Sequence, residues 1–274
     1  MVRLAARAHE RDRYLSALLA PRAARADLIA LAAFAGEIAR IPAMVHEPMA
    51  GEIRMQWWRD ALDALERGEK SGHPVADAVG AARLRHALPN RLLHGIIDAH
   101  TIGLYEEPLE DDQALWSFLA NTEGAMFALG LWVVGRRDNG WQPTADAAGR
   151  AYGLARALIE LPALRAQGRT LLPASRLQAA GLSPADVTAG VAPERLRPVV
   201  RDLAEEARRQ LAKAREGWRR LTGAERAALL PLALVEPYLR ALERPGLDLL
   251  REPAEILPLR RVWRLWWARR SGSL

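Results

Sequence analysis

Nowhere in this chain do Val and Ile cluster in the alternating, period-two runs that a half-buried strand needs, and no Asn-Gly hairpin joins two such runs. Apolar residues recur instead at helical spacing, among Ala, Leu, Arg and Glu, residue types that favour the helix intrinsically. The expected fold class is therefore all-α. Breakers divide the chain into expected helices at 12–19, 22–40, 51–67, 75–84, 90–105, 113–135, 146–161, 193–221, 224–242 (interrupted by Pro231 and Pro237) and 257–270. Pro42 and Pro48 bracket the connection between the second and third of these, and a loop is expected over 168–181. Apolar patterning runs from about Tyr14 to Trp267 with no Pro/Gly/Ser-rich linker, so residues 1–274 read as one domain. Half of the residues are hydrophobic, enough for a substantial core. No repeat of solenoid length is present.

Several chemistries are excluded by composition. The chain has no cysteine, so thiolate catalysis, disulfides and Cys-based zinc sites are out. Histidines stand at 9, 46, 73, 86, 94 and 100 without H-E-x-x-H spacing, and each reads as a surface or capping residue. Gly-rich phosphate loops and G-x-S-x-G elbows are missing too. The formal charge is +6, yet Lys70 and Lys213 are the only lysines, and the arginines are scattered among Glu and Asp. They form no stripe, so nucleic acid is not an expected partner. The N-terminus lacks a long apolar signal segment, and the longest apolar run, 125–134, is about half a membrane span. A cytoplasmic protein is expected, with attachment to the surface of an inner membrane left open.

Seven segments in order carry a resemblance. They are DRYLSALLAP from 12, LAAFAGEIARI at 31–41, WWRDALDALERG at 57–68, HPVADA at 73–78, LLHGIIDA at 92–99, FLANTEGAMFALGLWVVG at 118–135 and AYGLARALIELPALRAQGRTLLPASRL at 151–177. Together they resemble the squalene/phytoene synthase family. The run HEPMAGEIRMQWWRDAL at 46–62 and the terminal RRVWRLWW are closest to one branch of it, which includes a mitochondrial complex I assembly factor and bacterial relatives. The resemblance implies an isoprenoid-synthase fold, a helical bundle around a central cavity.

The family's reaction joins two prenyl diphosphates head to head. Diphosphate departs, and magnesium neutralises its charge. Magnesium wants hard oxygen ligands, which on a helix means carboxylates three or four apart. Laying Phe34 on the family's phenylalanine places Ala39, Arg40 and Ala43 where it carries the three aspartates of D-D-x-x-D. Glu37 is the only acidic residue nearby, without an acidic partner at i+3 or i+4. The second family motif, R-D-x-x-E-D ahead of R-x-Y-L-P, corresponds here to Glu160 through Arg165 and then Arg169-Thr170-Leu171-Leu172-Pro173. Both aspartate-rich motifs read as degraded, so no metal or other cofactor is expected. Magnesium enters only if the chain is an active transferase.

Guanidinium groups at Arg40 and Arg165 put positive charge where the family puts metal, and guanidinium binds phosphate without one. The bland alternative is that they point to solvent or to Glu37 and Glu160. The candidate ligand-binding residues are thus Glu37, Arg40, Arg54, Gln56, Glu160, Arg165 and Arg169, with no catalytic residue assigned. Ile53, Trp57, Ala61, Ala64 and Leu65 make one apolar stripe that is expected to put Trp57 in the core, with Arg54 and Trp58 on a neighbouring face. Asp60 with Asp63, Asp202 with Glu205 and Glu206, and Glu110-Asp111-Asp112 read as solvated faces or a helix cap. In the last helix Leu259, Val262, Trp263, Trp266 and Trp267 lie on one side, with Arg261 and Arg264 opposite. That pattern suits a membrane interface or packing on the chain's own domain, and packing is the expectation. Three functions follow. The first is a non-catalytic factor for assembling or stabilising respiratory complex I, with complex I subunits or intermediates as partners. The second is an active prenyltransferase. The third is a non-catalytic binder of a prenyl or lipid ligand.

Overall fold

A computed structural model of the chain describes residues 1–45, 47–105, 107–254 and 256–274. His46 therefore lies outside the described residues. Among these the regular structure is helical throughout, without a strand. The first six helices are α1 (Val2–His9), α2 (Arg11–Leu18), α3 (Arg22–Met44), α4 (Pro48–Glu66), α5 (Pro74–His86) and α6 (Asn90–Thr101). Then come α7 (Asp112–Leu119), α8 (Ala125–Val133), α9 (Gln142–Ile159) and the short α10 (Leu161–Ala166), α11 (Ala174–Ala179) and α12 (Pro184–Ala189). The long α13 (Pro193–Arg220), α14 (Val235–Leu242) and α15 (Pro258–Ser271) close the chain.

Several ends follow from local chemistry. Pro48, Pro74, Pro184 and Pro193 sit in the first helical turn, where a missing N–H costs nothing. Asp111 caps α7 by accepting the Ala114 N–H at 2.9 Å, as an acidic cap should. Ser183 and Asp186 form a reciprocal capping box on α12, which Gly190 ends in the left-handed conformation. One expected boundary fails. α3 does not stop at Arg40 but runs through Pro42 to Met44. A proline this near a helix end forfeits a single intrahelical bond, and the buried Ile38 and Ile41 hold the turn in place.

Two apolar clusters meet at α8. Its Ala125, Met126, Leu129 and Val133 belong to the cluster on the side of α3, α5 and α6, whereas Phe127, Ala128 and Leu131 belong to the one on the side of α9 and the 3-10 turns at Glu225–Leu234. Being covered on both sides explains why this segment is apolar all round. The expected single helix over 113–135 is in fact α7 and α8 joined by a π turn at Ala120–Gly124, which fits one extra residue into the turn. α9 crosses that turn so closely that a Cβ on Gly149 would stand 2.3 Å from the Gly124 nitrogen. Only glycine allows the approach.

Two faces are turned the other way from the sequence expectation. On α4 the core takes Met55, Trp58, Leu62 and Leu65, while Ile53 and Trp57 are 65% and 41% exposed. On α15 the core takes Leu265 and Ala268, and Trp263, Trp266 and Trp267 are 58%, 43% and 44% exposed. Three arginines of α15 point inward: Arg261 reaches Asp12 at 3.2 Å, and Arg264 and Arg269 donate to the carbonyls of Ala233 and Leu19 at 3.4 and 3.3 Å. Trp218 of α13 adds a bond to the Gly272 carbonyl at 2.7 Å.

Candidate functional site

The chain breaks between α1 and α2 at Glu10, where the backbone leaves helical geometry (φ −132°, ψ 57°). That break delivers three charged side chains to the interior, Glu10, Asp12 and Arg13, all buried. The π turn brings Glu123 to meet them, and α9 brings Arg156. Arg13 pairs with Glu123 and lies 3.4 Å from Glu10. Its guanidinium also sits 4.6 Å above the Phe127 ring. Arg156 contacts Glu10 at 2.7 Å, Glu123 at 3.2 Å and Glu160 at 2.9 Å. Glu10 and Glu123 thus each contact both guanidinium groups.

Burial and Coulomb effects work against each other in this cluster. Burial pushes the Glu10 carboxyl up, Arg156 only partly offsets it, and Glu123 adds to the rise. Burial also acts to raise Glu123, but Arg13 and Arg156 together hold it below the ordinary glutamate value. Both arginines are raised despite burial, because the surrounding carboxylates favour their charged forms. A second tie lies beside the first. Asp12 accepts hydrogen bonds from Tyr152 at 2.9 Å and from Tyr238, while Arg261 of α15 neutralises it.

The cluster walls one side of a central cavity of about 130 Å³. Its other walls are Ala35 and Ala39 of α3, His100 of α6, Phe118, and Leu164, Arg169 and Leu171 beyond α9. His100 meets Phe118 edge to face at 5.6 Å. Its desolvation, with Arg169 and Arg156 nearby, holds the imidazole down to about 4 against the opposing pull of Glu123. Two further cavities adjoin. One of about 220 Å³ shares Phe118, Arg169 and Leu171, and one of about 640 Å³ is lined by Pro42, Ala43, Val45, Gly103 and Arg169. Arg169 lines all three.

The candidate residues read from the sequence divide accordingly. Glu160 and Arg169 line the central cavity. Glu37 and Arg40 form an ion pair with each other at 3.7 Å, the bland arrangement. Arg165 turns away to donate to the Ala189 carbonyl at 3.2 Å. Arg54 and Gln56 sit on the exposed face of α4, Gln56 bonded to Asp60 at 2.8 Å, and line none of the three cavities. Two histidines are not the surface residues expected: His100 lines the cavity, and His86 is buried against Asp27 at 2.7 Å. Asp112 does more than cap, gripping Arg176 through two bonds of 2.6 Å. Among the described residues no three His, Asp or Glu side chains converge as a metal site would require.

Glu10, Arg13, Glu123 and Arg156 escaped the sequence reading. One signal was available: Glu123 and Arg156 each interrupt an otherwise apolar helical run, FLANTEGAMFALGL and YGLARALI. A lone charge there must find a partner inside.

The squalene/phytoene synthase family model matches residues 6–267. Among curated proteins, the chain is 29% identical over 264 residues to NADH dehydrogenase (ubiquinone) complex I, assembly factor 6, of Bos taurus, covering 95% of this chain and 79% of that protein. It is 26% identical to its Homo sapiens counterpart over 257 residues, covering 92% and 77%. Among solved structures, the squalene synthase HpnC from Alicyclobacillus acidocaldarius superposes with a TM-score of 0.77 at 19% identity, covering 89% of this chain and 92% of that one. A dehydrosqualene synthase in complex with ligand superposes at 0.81 and 16% identity, covering 98% and 94%. These superpositions establish the isoprenoid-synthase helical fold.

Proposed function

The chain belongs to the squalene/phytoene synthase family, and on that footing we propose that it is a non-catalytic member which assists the assembly or stability of respiratory complex I. The observation that carries the reading is the state of the central cavity. Its carboxylates Glu10, Glu123 and Glu160 are each engaged by a guanidinium, and α3 offers it the methyl groups of Ala35 and Ala39. Magnesium needs oxygens that are free to coordinate, so this donor set does not fit the ion, in keeping with the reading of both aspartate-rich motifs as degraded. At about 130 Å³ the cavity also falls below the roughly 300–1,000 Å³ of ordinary small-molecule sites. The names of the relatives support the choice of complex I as the assembly concerned.

Two measurements test this. Purified protein with magnesium and farnesyl or geranylgeranyl diphosphate should release no pyrophosphate; turnover overturns the non-catalytic reading. Removal of the gene from its host should lower the fully assembled complex on native gels, and a wild-type copy should restore it. A normal complex in its absence overturns the assembly reading.

A second reading has one observation in its favour. Arg169 stands where the three cavities meet, and the largest, about 640 Å³, is roomy enough for an anionic prenyl or lipid head group. Mass spectrometry of the purified protein under native conditions should then find a co-purified lipid, lost in Arg169→Ala.

A further inference from the structure

We propose that the outward face of α15 is a docking surface for an anionic lipid bilayer, along which the helix lies in the plane of the interface. The inference goes beyond the assembly reading and does not depend on it.

Four observations converge. First, the face is apolar and exposed from end to end: Leu257 and Leu259 are 74% and 85% exposed, and Val262, Trp263, Trp266 and Trp267 follow along the same side. Secondly, the three indoles cluster, with ring centroids 5.2 Å apart for Trp263 and Trp266, 6.0 Å for Trp263 and Trp267 and 6.4 Å for Trp266 and Trp267. Each keeps about half of its surface open, and among the described residues their N–H groups make no hydrogen bond. An indole is apolar over its body and polar at one edge, which matches the head-group level of a bilayer.

Thirdly, the arrangement is fixed from behind. Leu265 and Ala268 are fully buried, and Arg261, Arg264 and Arg269 are tied inward to Asp12, Ala233 and Leu19. The tryptophans cannot be buried by a simple roll of the helix without breaking those ties.

Fourthly, the charge carried by this segment itself has one sign. Residues 256–274 contain five arginines and no acidic residue. Arg260 and Arg270 are exposed on this helix, and Arg264 lies in the field of Arg240, Arg260 and Arg215, which outweighs the opposing Glu236. Apolar bulk with aromatic anchors and an arginine rim is the chemistry of a helix that binds anionic lipid, with its apolar side sunk about 5–10 Å into the boundary. No helix among the described residues is long and apolar enough to cross a membrane, so the contact would be superficial.

The test is flotation of the full chain with vesicles of phosphatidylcholine alone and of phosphatidylcholine mixed with phosphatidylglycerol. The wild-type protein is expected to float with the mixed vesicles and weakly or not at all with the neutral ones. Replacing Trp263, Trp266 and Trp267 together by Gln should cut binding at least about tenfold. Arg260→Gln and Arg270→Gln should each cost about fivefold on the mixed vesicles and nothing on the neutral ones. Circular dichroism establishes that each variant is folded. Wild-type protein alone supplies a second readout: bromine-labelled acyl chains should quench part of its tryptophan emission. The proposal is overturned if the wild type ignores anionic vesicles, if its emission is unquenched, or if the triple variant binds as well. It is equally overturned if light scattering reveals a dimer that the triple variant dissolves while vesicles stay unbound, which would make this face a contact between copies. Because only lipid is present, none of these outcomes bears on complex I assembly.

Discussion

Arg156 holds three carboxylates, those of Glu10, Glu123 and Glu160. Removing it would leave two buried anions with Arg13 as their sole remaining cation. Breaking a buried pair from one side costs about 3–5 kcal/mol, so Arg156→Leu should lose that much in urea denaturation. Glu10→Gln in the same chain should recover part of it, since one uncompensated charge goes with it. His100 gives a pH signature. Its folded value is about 4 against an ordinary 6.5, so the unfolded chain takes up the proton first as pH falls. Stability from this group is complete above about pH 6.5 and is lost toward pH 4, by at most about 3 kcal/mol. His100→Phe should flatten that part of the stability-against-pH curve. The bland pairing of Arg40 with Glu37 was legible, because three residues apart on a helix is contact distance. The glutamate–arginine cluster was not, because Glu10 and Glu123 are 113 positions apart and meet only through the crossing of α9 over the π turn.

That crossing sets the element-scale prediction. Gly149→Ala would drive a methyl into the Gly124 backbone, and backbone cannot swing aside as a side chain can. Overpacking costs about 1–3 kcal/mol. The thermal midpoint should fall accordingly, whereas alanine at Gly95, whose nearest neighbour would be 3.9 Å away, should be tolerated. Most long helices were legible from spacing and breakers. The interruption at Ala120–Gly124 was not, since a π turn leaves the apolar run intact while adding one residue. Nor was the orientation of α4 and α15. Periodicity locates a stripe but not which neighbour covers it, and arginine has enough methylene length to serve an inward face when a carboxylate or carbonyl waits there. On α15 Asp12 and two carbonyls wait, and the indoles are left outside.

At the scale of the molecule, the sequence pieces were sufficient for the all-α fold because their order is that of the helices around the cavity. What they left open was the content of that cavity, where residues from 10 to 171 converge. Restoring acidic side chains on α3 tests that content directly. Ala39→Asp with Ala43→Asp puts carboxylates at two positions that the resemblance aligns with the family's aspartates, the first in this cavity and the second in the adjoining one of about 640 Å³, yet magnesium titrated by calorimetry should still bind no tighter than to the parent. Glu160, across the cavity, stays with Arg156.

Asp12 lies near the beginning of the chain and Arg261 near its end, and Tyr238 completes the same junction. The ribosome makes Asp12 first and must add about 250 residues before the guanidinium that neutralises it exists. The amino-terminal helices of a nascent chain would therefore have to wait with a naked carboxylate between them. Closure waits for the last helix to be made, and a chain that stops short of Arg261 would be a product that proteases recognise as unfinished.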